Sequence, residues 1–259
     1  MGRTETLTSP ANPLLKDVRR AIARAGLTEQ GYMVAESFHL LDEALRSRLD
    51  IKVILAAESV RDRVRAPVGV RVAIVETAIF QKLSDTESSQ GVIALIEPPK
   101  WDLEQALGER TLTVVLDGVQ DPGNAGAIVR AAEAFGATGI LFLKGTVSPF
   151  NPKTLRASAG SLFRVPFVYS ADPVAARAAL QKREAAIYVA MPKGAKPLAD
   201  VDMRRKCALV IGSEAQGVSE FWRRGAAGVS IPTVGVESLN AGVAAGILLY
   251  EAQRQRSQS

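Results

Sequence analysis

The stretch LDGVQDPGNAGAIVRAAEAFGA, residues 116–137, is the most informative about the architecture of the chain. Strand-forming residues stop at Asp117-Gly118, a polar loop follows, and an alanine-rich helix comes after it. Nucleotide-binding proteins hold phosphate with this succession of strand, tight loop and helix N-terminus. The spacing is not G-x-G-x-x-G and no G-K-[ST] follows, so neither common phosphate-binding motif explains the loop.

The composition is that of a globular, basic protein. The chain has 259 residues, 47% of them hydrophobic, which is enough for the cores of two ordinary domains. The net charge is +5 and the isoelectric point is near 9.5. This balance favours a polyanionic partner such as RNA or DNA. A basic surface that only maintains solubility is the alternative.

The scarcity of cysteine and histidine excludes several kinds of site. Cys207 and His39 are the only residues of their types, so a disulfide framework and a zinc site of the usual ligands are not expected. Cys207 lies in the apolar run CALVIG, which is typical of a buried strand with an inert thiol. His39 lies in a helical pattern far from the glycine-rich loops, which argues against a Ser-His-Asp or Cys-His triad. We expect no metal.

The sequence shows no signal peptide and no apolar stretch of the roughly 20 residues that span a bilayer. It therefore predicts a soluble, cytoplasmic protein with no membrane partner.

Two α/β domains and a linker are predicted. Residues 1–97 form the first domain, in which residues 1–10 are polar and expected to be loose, and strands alternate with helices over residues 12–97. Residues 98–109 form the linker, because Pro98 and Pro99 block a continuing strand and the composition turns polar. Residues 110–259 form the second domain, a parallel sheet with helices on both faces. Its predicted strands are 111–117, 138–144, 185–191, 207–213 and 228–233, and its predicted helices lie around 126–135, 153–161, 173–184, 219–225 and 240–256.

Three loops of the second domain each follow a strand. The first lies in the stretch quoted above, the second is IGSEAQGVS (211–219), and the third is IPTVGVESLNAGVAAGILLYE (231–251). Because ligands of open α/β sheets bind at the carboxyl ends of the strands, the three loops are predicted to form one site.

These loops resemble the three signature motifs of the SpoU/TrmH class of RNA 2′-O-methyltransferases, within the knotted SPOUT superfamily. The matching residues are Asp121, Pro122, Gly123, Asn124, Gly126 and Arg130 in the first loop, Gly212, Glu214 and Gly217 in the second, and Ile231, Pro232, Ser238, Leu239 and Asn240 in the third. The resemblance covers roughly residues 111–256, and three motifs in order are highly specific. The N-terminal domain resembles, more loosely and mainly in GYMVAES, the substrate-binding domain that many members carry.

The sequence departs from the family pattern at two places. Ala215 stands where members usually have glycine, so the second loop is expected to bend slightly differently. NAGVAAG replaces the commoner Asn-Val-Ser-Val pattern, which loses a serine but keeps small side chains.

The resemblance implies methyl transfer from S-adenosylmethionine to a ribose 2′-hydroxyl in structured RNA. The extra N-terminal domain favours 23S ribosomal RNA over transfer RNA, and this domain, with its arginine-bearing first helix, is expected to recognise the RNA. The resemblance also implies a deep trefoil knot and a homodimer through the C-terminal domain. Glycine inside the last helix, residues 240–256, costs on the order of 1 kcal/mol relative to alanine, which suggests close approach by another backbone.

Gly212, Ile231 and Leu239 are the predicted cofactor-binding residues. Glycine lets the backbone approach a ligand closely, and the other two supply backbone groups beside apolar walls. The resemblance assigns the same three residues.

Asn124, Arg130, Glu214, Ser238 and Asn240 are the predicted catalytic residues. Arg130 can grip a phosphate with both arms of its guanidinium but cannot readily act as a base, so most of the rate is expected to come from positioning. Glu214 is expected to orient Asn124 or Arg130. Asn124 could instead cap its helix, and one of Ser238 and Asn240 is expected to cap the last helix.

Three alternative functions stay open at this point. The protein could be a transfer-RNA 2′-O-methyltransferase, or a SPOUT-like protein that holds RNA without methylating it. A nicotinamide-dependent dehydrogenase is the third, and the missing G-x-G-x-x-G argues against it.

Overall fold

The computed structural model describes residues 4–84, 89–192 and 195–258. The strands are β1 (Thr4–Leu7), β2 (Met33–Glu36), β3 (Ile51–Ala57), β4 (Arg71–Val75), β5 (Val92–Ile96), β6 (Leu112–Asp117), β7 (Gly139–Leu143), β8 (Phe167–Ala171), β9 (Ala186–Ala190), β10 (Lys196–Pro197), β11 (Cys207–Gly212) and β12 (Ala227–Ser230). The α-helices are α1 (Pro13–Ala23), α2 (Phe38–Arg46), α3 (Thr77–Gln81), α4 (Leu103–Leu107), α5 (Pro122–Ala134), α6 (Pro152–Ser158), α7 (Pro173–Lys182), α8 (Glu220–Arg223) and α9 (Ala241–Ser257).

The chain divides into two compact units. The first unit consists of Met1–Lys100 and Phe150–Phe163, and the second of Trp101–Pro149 and Arg164–Ser259. The segment with α6 thus belongs to the first unit, although its sequence position suggested the second.

The first unit is a five-stranded sheet in the order β1-β4-β3-β5-β2, in which β5 runs antiparallel to its neighbours. Its core includes Leu15, Leu55, Phe80 and Leu95, all of them buried. The prediction that residues 1–10 are loose is wrong for β1, which pairs in parallel with β4. This short edge strand has a polar sequence, TETL, with only Leu7 buried, so its periodicity gave no signal.

The second unit is a parallel sheet of seven strands in the order β10-β12-β9-β11-β6-β7-β8. The predicted α/β fold class and all five predicted strands of this sheet are confirmed. β8 and β10 were missed, because β8 is partly exposed at one edge and β10 has only two residues. The trefoil knot stays a prediction, since the strand order does not by itself describe how the chain is threaded.

The predicted linker is shorter than expected, because part of it folds into the second unit. Asp102 caps α4 by accepting a hydrogen bond from Gln105 N at 2.8 Å, and the Gln105 side chain accepts one from Asp102 N in return. Ala106 and Leu107 of this helix are fully buried. Two prolines and a polar composition indicated a linker, but the buried face of α4 is too short to show a helical period.

The end of α9 is anchored to the backbone of the second unit by Arg256. Its guanidinium donates hydrogen bonds to the carbonyl oxygens of Met203 at 2.9 Å, Arg110 at 2.9 Å, Thr111 at 3.0 Å and Arg205 at 2.6 Å. One side chain therefore ties the last helix to the segments that precede β6 and β11.

Two arginines of the segment RASAGSLFRVP, residues 156–166, have structural partners. Arg156 Nη1 donates to Glu36 Oε2 at 3.1 Å, and Glu36 is buried in the first unit. Arg164 Nη2 donates to Glu133 Oε2 at 3.0 Å in the second unit. Both guanidiniums are thus held by carboxylates of the protein.

Within the residues that the structure describes, no helix is long and apolar enough to cross a membrane.

Candidate active site

The loops after β6, β11 and β12 meet at the carboxyl edge of the second sheet. Asp117 and Gly212, the last residues of two neighbouring strands, lie side by side in the register of β6 and β11. A cavity of about 720 Å³ opens at this edge, a size usual for small-molecule sites. Its lining combines apolar side chains with the polar groups of the second and third loops, and includes Met191, Ile211, Gly212, Glu214, Arg223, Ile231, Ser238, Leu239 and Asn240.

All three residues predicted to bind a cofactor line this cavity. The reason for glycine at position 212 differs from the one expected. A Cβ on Gly212 would lie 2.1 Å from the carbonyl carbon of Gly217, so the second loop itself needs a glycine here. The loop is closed by a hydrogen bond from Gly217 N to the carbonyl of Ser213 at 2.9 Å, and Gly217 has a φ of 68°. Ala215 is accommodated in this closed loop without a positive φ.

Three of the predicted catalytic side chains form a chain of hydrogen bonds. Asn124 Nδ2 donates to Glu214 Oε1 at 2.7 Å, and Asn240 Nδ2 donates to Asn124 Oδ1 at 2.7 Å. Residues from the first, second and third loops are thereby joined directly. Glu214 orients Asn124, which was one of its two expected partners.

The helix caps decide which side chains are available for chemistry. Asp121, not Asn124, caps α5 by accepting a hydrogen bond from Asn124 N at 2.6 Å. Asn240 caps α9, because its Oδ1 accepts hydrogen bonds from Gly242 N at 2.9 Å and Val243 N at 3.2 Å. With its oxygen held by the helix N-terminus, the amide of Asn240 must direct its Nδ2 towards Asn124. Ser238 lines the cavity and is exposed.

Glu214 is held in its ionised form. Partial burial raises the pKa of its carboxyl group, but hydrogen bonds from Asn124 and from backbone amides outweigh this and keep the pKa below its ordinary value. One of these amides is Gln120 N, 3.4 Å from Glu214 Oε2. A carboxylate that accepts several hydrogen bonds is a fixed acceptor near neutral pH.

Arg130 is the one predicted site residue that the chain does not bring to the others. It lies six residues after Asn124 in α5, about 9 Å along the helix axis and on another face. The side chain is exposed between Ala127 and Ala134 and is absent from the lining of the cavity. Among the described residues, no hydrogen bond or ion pair of Arg130 is found.

Two residues of the site were missed from the sequence. Arg223 of α8 lines the cavity, with its Nη2 3.4 Å from Glu220 Oε2. Asp117 Oδ2 accepts a hydrogen bond from Ser219 N at 2.7 Å and so ties the second loop to the end of β6. The signal for Asp117 was its place at the end of a strand, whereas the arginine pair in EFWRR carried none.

No cluster of three or more His, Cys, Asp or Glu side chains that could hold a metal is found within residues 4–84, 89–192 and 195–258.

Comparison with known proteins decides the family. The model of the SpoU rRNA methylase family matches residues 111–250, more than half of the chain. The chain belongs to the SpoU rRNA methylase family. The model of the MRM3-like substrate-binding domain matches residues 12–94, within the first unit of this SpoU methylase.

Individual SpoU relatives match along most of the chain. The 23S rRNA guanosine 2′-O-methyltransferase RlmP of Bacillus subtilis is 29% identical over 94% of this chain and 97% of its own length. The 23S rRNA guanosine 2′-O-methyltransferase RlmB of Xylella fastidiosa is 36% identical over 73% of this chain and 80% of its own. The crystal structure of the SpoU methyltransferase AviRb from Streptomyces viridochromogenes, in complex with the cofactor AdoMet, superposes with a TM-score of 0.84 at 27% identity and covers 96% of this chain and 99% of that one.

These matches confirm the predicted family, RNA 2′-O-methylation as its reaction, and S-adenosylmethionine as its cofactor. The roles assigned to individual site residues stay predictions.

Proposed function

We propose that this SpoU methylase transfers a methyl group from S-adenosylmethionine to a ribose 2′-hydroxyl of 23S ribosomal RNA in the cytoplasm. The observation that carries the proposal is the cavity at the sheet edge, with the Glu214–Asn124–Asn240 chain of hydrogen bonds across its three loops. The cavity holds the cofactor, and the chain of amides faces the ribose.

The residues of the cavity fit S-adenosylmethionine. Its walls carry the apolar side chains of Met191, Ile231 and Leu239, which would hold an adenine ring, and backbone groups of the loops would bind its polar edge. When bound, the cofactor supplies an electrophilic methyl group. Glu214 places a carboxylate at the same cavity and suits the positive sulfur centre.

Arg223 suits the carboxylate of the methionine part. It is the one arginine or lysine among the described residues that line the cavity. Its guanidinium is partly exposed and its contact with Glu220 is loose at 3.4 Å, so the fork can turn towards a ligand oxyanion.

The amides of Asn124 and Asn240 position the ribose. Each amide has its orientation fixed, by Glu214 at one end of the chain and by the α9 N-terminus at the other. An amide is neither an acid nor a base at neutral pH, so these groups contribute by holding the 2′-hydroxyl in line with the methyl group.

A second copy of this chain completes the protein as a homodimer. Helices α5 and α9 lie side by side, with the rings of Phe135 and Tyr250 5.7 Å apart, and together present an exposed face of small and apolar residues. Val243 and Tyr250 are more than half exposed on this face, and a Cβ on Gly246 would meet no atom within 4 Å. Another backbone was expected to approach Gly246 closely, and no such approach is made within one chain. This supports an approach by a second copy.

Arg130 lies on the same exposed side of α5, so a second copy would bring it to a site that the two chains share. This arrangement accounts for its absence from the cavity of its own chain. Co-expression of an Arg130→Ala chain with an Asn124→Ala chain tests it. Mixed dimers regain methyl transfer if Arg130 serves the partner subunit, and stay inactive if Arg130 serves its own chain.

Gly246→Leu tests the interface itself. We expect a folded monomer in sedimentation at micromolar concentration, no less stable than the parent monomer, because the new side chain enters open space and relieves the cost of a helical glycine. A dimer of parental affinity would place the interface elsewhere.

Transfer of a radioactive methyl group to purified RNAs tests the proposed substrate. We expect label in unmethylated 23S ribosomal RNA and none in transfer RNA, and mapping of 2′-O-methyl sites in cells with and without the gene then gives the nucleotide. Label in transfer RNA alone would favour the alternative substrate. Cofactor binding without transfer to any RNA would favour a protein that only holds RNA.

A further inference from the structure

A basic segment connects β3 to β4 in the first unit. The segment, ESVRDRVRAPVG (residues 58–69), begins with a 3₁₀ helix, Glu58–Arg63, and continues without regular structure. Arg61, Arg63 and Arg65 are exposed on it. Within the described residues, the one ion pair of these three arginines joins Arg61 Nε to Asp62 Oδ1 at 3.8 Å, which is too long to hold the arginine firmly.

Arg63 lies on an aromatic ring. The carbon of its guanidinium is 4.4 Å from the centroid of the Phe38 ring, within the range of a cation–π contact. Phe38 is the first residue of α2 and is only half-buried. A partly exposed phenyl ring therefore lies beneath an exposed guanidinium at the surface of the first unit.

The backbone that carries Phe38 is strained. Ser37, the preceding residue, has φ 134° and ψ 156°, a backbone conformation that residues other than glycine rarely adopt. Two hydrogen bonds hold this geometry, from Phe38 N to Gln90 Oε1 at 3.0 Å and from Leu40 N to Ser37 Oγ at 3.1 Å. Strain of this kind persists where the surroundings fix it, and it concentrates at functional sites.

We infer that Phe38 and Arg63 form a stacking platform for an unpaired nucleotide of the substrate RNA, with Arg61 and Arg65 contacting the flanking phosphates. This inference rests on the proposed function. Proteins recognise RNA sequence mainly at unpaired bases, which stack on aromatic rings and guanidinium planes. Stacking of this kind adds affinity that depends little on which base is stacked, and the neighbouring arginines add a salt-dependent attraction to the phosphate backbone.

The platform differs from the basic face of α1, which was the expected RNA-binding element. Arg20 of α1 is paired with Glu29 at 2.6 Å, and Lys16, Arg19 and Arg24 lie on the exposed side of the helix. Such a row of cations without an aromatic ring binds mainly phosphates. The two surfaces therefore predict different responses to mutation and to salt.

Binding of a fluorescent single-stranded oligoribonucleotide, and of a duplex of the same sequence, by the full-length protein separates the two surfaces. We expect Phe38→Leu and Arg63→Gln to weaken binding of the single strand about tenfold and binding of the duplex little. Phe38→Tyr should retain parental affinity, because its ring still stacks. Arg19→Gln is the matched control on α1, and it should weaken both RNAs equally and slightly.

The salt dependence gives a second readout. Phe38→Leu should leave the slope of log affinity against log salt unchanged, whereas Arg61→Gln and Arg65→Gln should each reduce it by about 0.7 for a single strand. A Phe38→Leu protein that melts like the parent and binds the single strand with parental affinity would overturn the platform, as would equal losses for strand and duplex.

The methyl-transfer assay keeps this inference separate from the proposed function. If the parent methylates 23S RNA and Phe38→Leu shows an unchanged KM for it, the platform is wrong and the function stands. If the parent methylates no RNA but Phe38→Leu still loses single-strand affinity selectively, the proposed function fails and the platform stands.

Discussion

Two arginines on neighbouring helices of the second unit have opposite surroundings. Arg256, at the end of α9, donates hydrogen bonds to four backbone carbonyls. Arg130, in the middle of α5, is exposed and makes no hydrogen bond to the part of the chain that the structure describes. A guanidinium whose donors are all used by the protein serves stability, and one left open on a face of small residues is available to a ligand or a second chain. In the sequence, each is an arginine of a helix that contains several alanines, and nothing nearby separates the two cases.

Arg256→Ala should have the largest effect, a loss of about 3 kcal/mol in the free energy of unfolding. Several partly buried carbonyl oxygens would lose their donor, at about 1–3 kcal/mol for each that water cannot reach. Arg256→Lys should recover little, since an ammonium group cannot span four acceptors. Urea unfolding followed by tryptophan fluorescence measures this, because Trp101 and Trp222 both lie in the second unit. The control is Arg254→Ala, which removes a side-chain pair with Glu251 and a hydrogen bond to Gln258 but no contact with the backbone, and it should cost much less.

Arg130→Ala should reduce methyl transfer about a hundredfold or more and leave the free energy of unfolding within about 0.5 kcal/mol of the parent. Displacement of a reacting group by about 1 Å can cost on the order of a hundredfold in rate. Arg130→Lys should rescue little, because an ammonium does not reproduce the fork. Single-turnover kinetics with saturating RNA and cofactor decide it, and a rate close to the parent's would make Arg130 an ordinary surface arginine.

Arg223→Gln extends the comparison to a third arginine, one that is only loosely paired. We expect S-adenosylmethionine to bind about tenfold more weakly in calorimetry, and 5′-methylthioadenosine, which lacks the carboxylate, to bind as before. Arg224→Gln is the matched control, because Arg224 shares the partner Glu220 but does not line the cavity. Equal weakening of both ligands by Arg223→Gln would remove its role at the carboxylate.

Glu214→Gln should have the smallest effect, about a tenfold loss in methyl transfer. A glutamine still accepts from Asn124, but its amide hydrogens then meet the N–H of Gln120. Because the folded-state pKa of Glu214 lies below its ordinary value of 4.5, its contribution to stability is present above pH 4.5 and is lost as the pH falls through the lowered pKa. The free energies of unfolding of parent and variant should therefore converge in acid. A gap that persists there would mean that Glu214 acts by packing.

Sequence patterns predicted the features that follow from the local periodicity of apolar residues and from the order of the motifs. The strands of the second sheet and the convergence of three loops follow from alternating apolar runs and from the rule for carboxyl edges. Partners far apart in the chain were not predictable in this way. The pairing of Arg156 with Glu36 joins residues 120 positions apart, and nothing near either residue indicates the other.

The site shows the same division. Gly212, Glu214 and Ile231 could be predicted to lie at the cavity because each ends or closely follows a strand. The place of Arg130 could not, because a helical face is open or covered according to the packing of whole helices. Gly212 was predicted to be a glycine because a ligand approaches its backbone closely. The structure gives a further reason, since a side chain at this position would clash with its own loop.

The contact between Arg256 and Cys207 makes the Cys207 thiol a reporter of local opening at the end of α9. Arg256 Nη2 lies 3.4 Å from the Sγ atom of Cys207, the one cysteine of the chain. Burial raises the pKa of this thiol more than the nearby guanidinium lowers it, so in the closed state it is neutral and shielded. A thiol reagent can reach Cys207 only after the end of α9 has moved away from β11. The rate at which Cys207 is labelled therefore measures how often this end of α9 opens, and no additional cysteine has to be introduced.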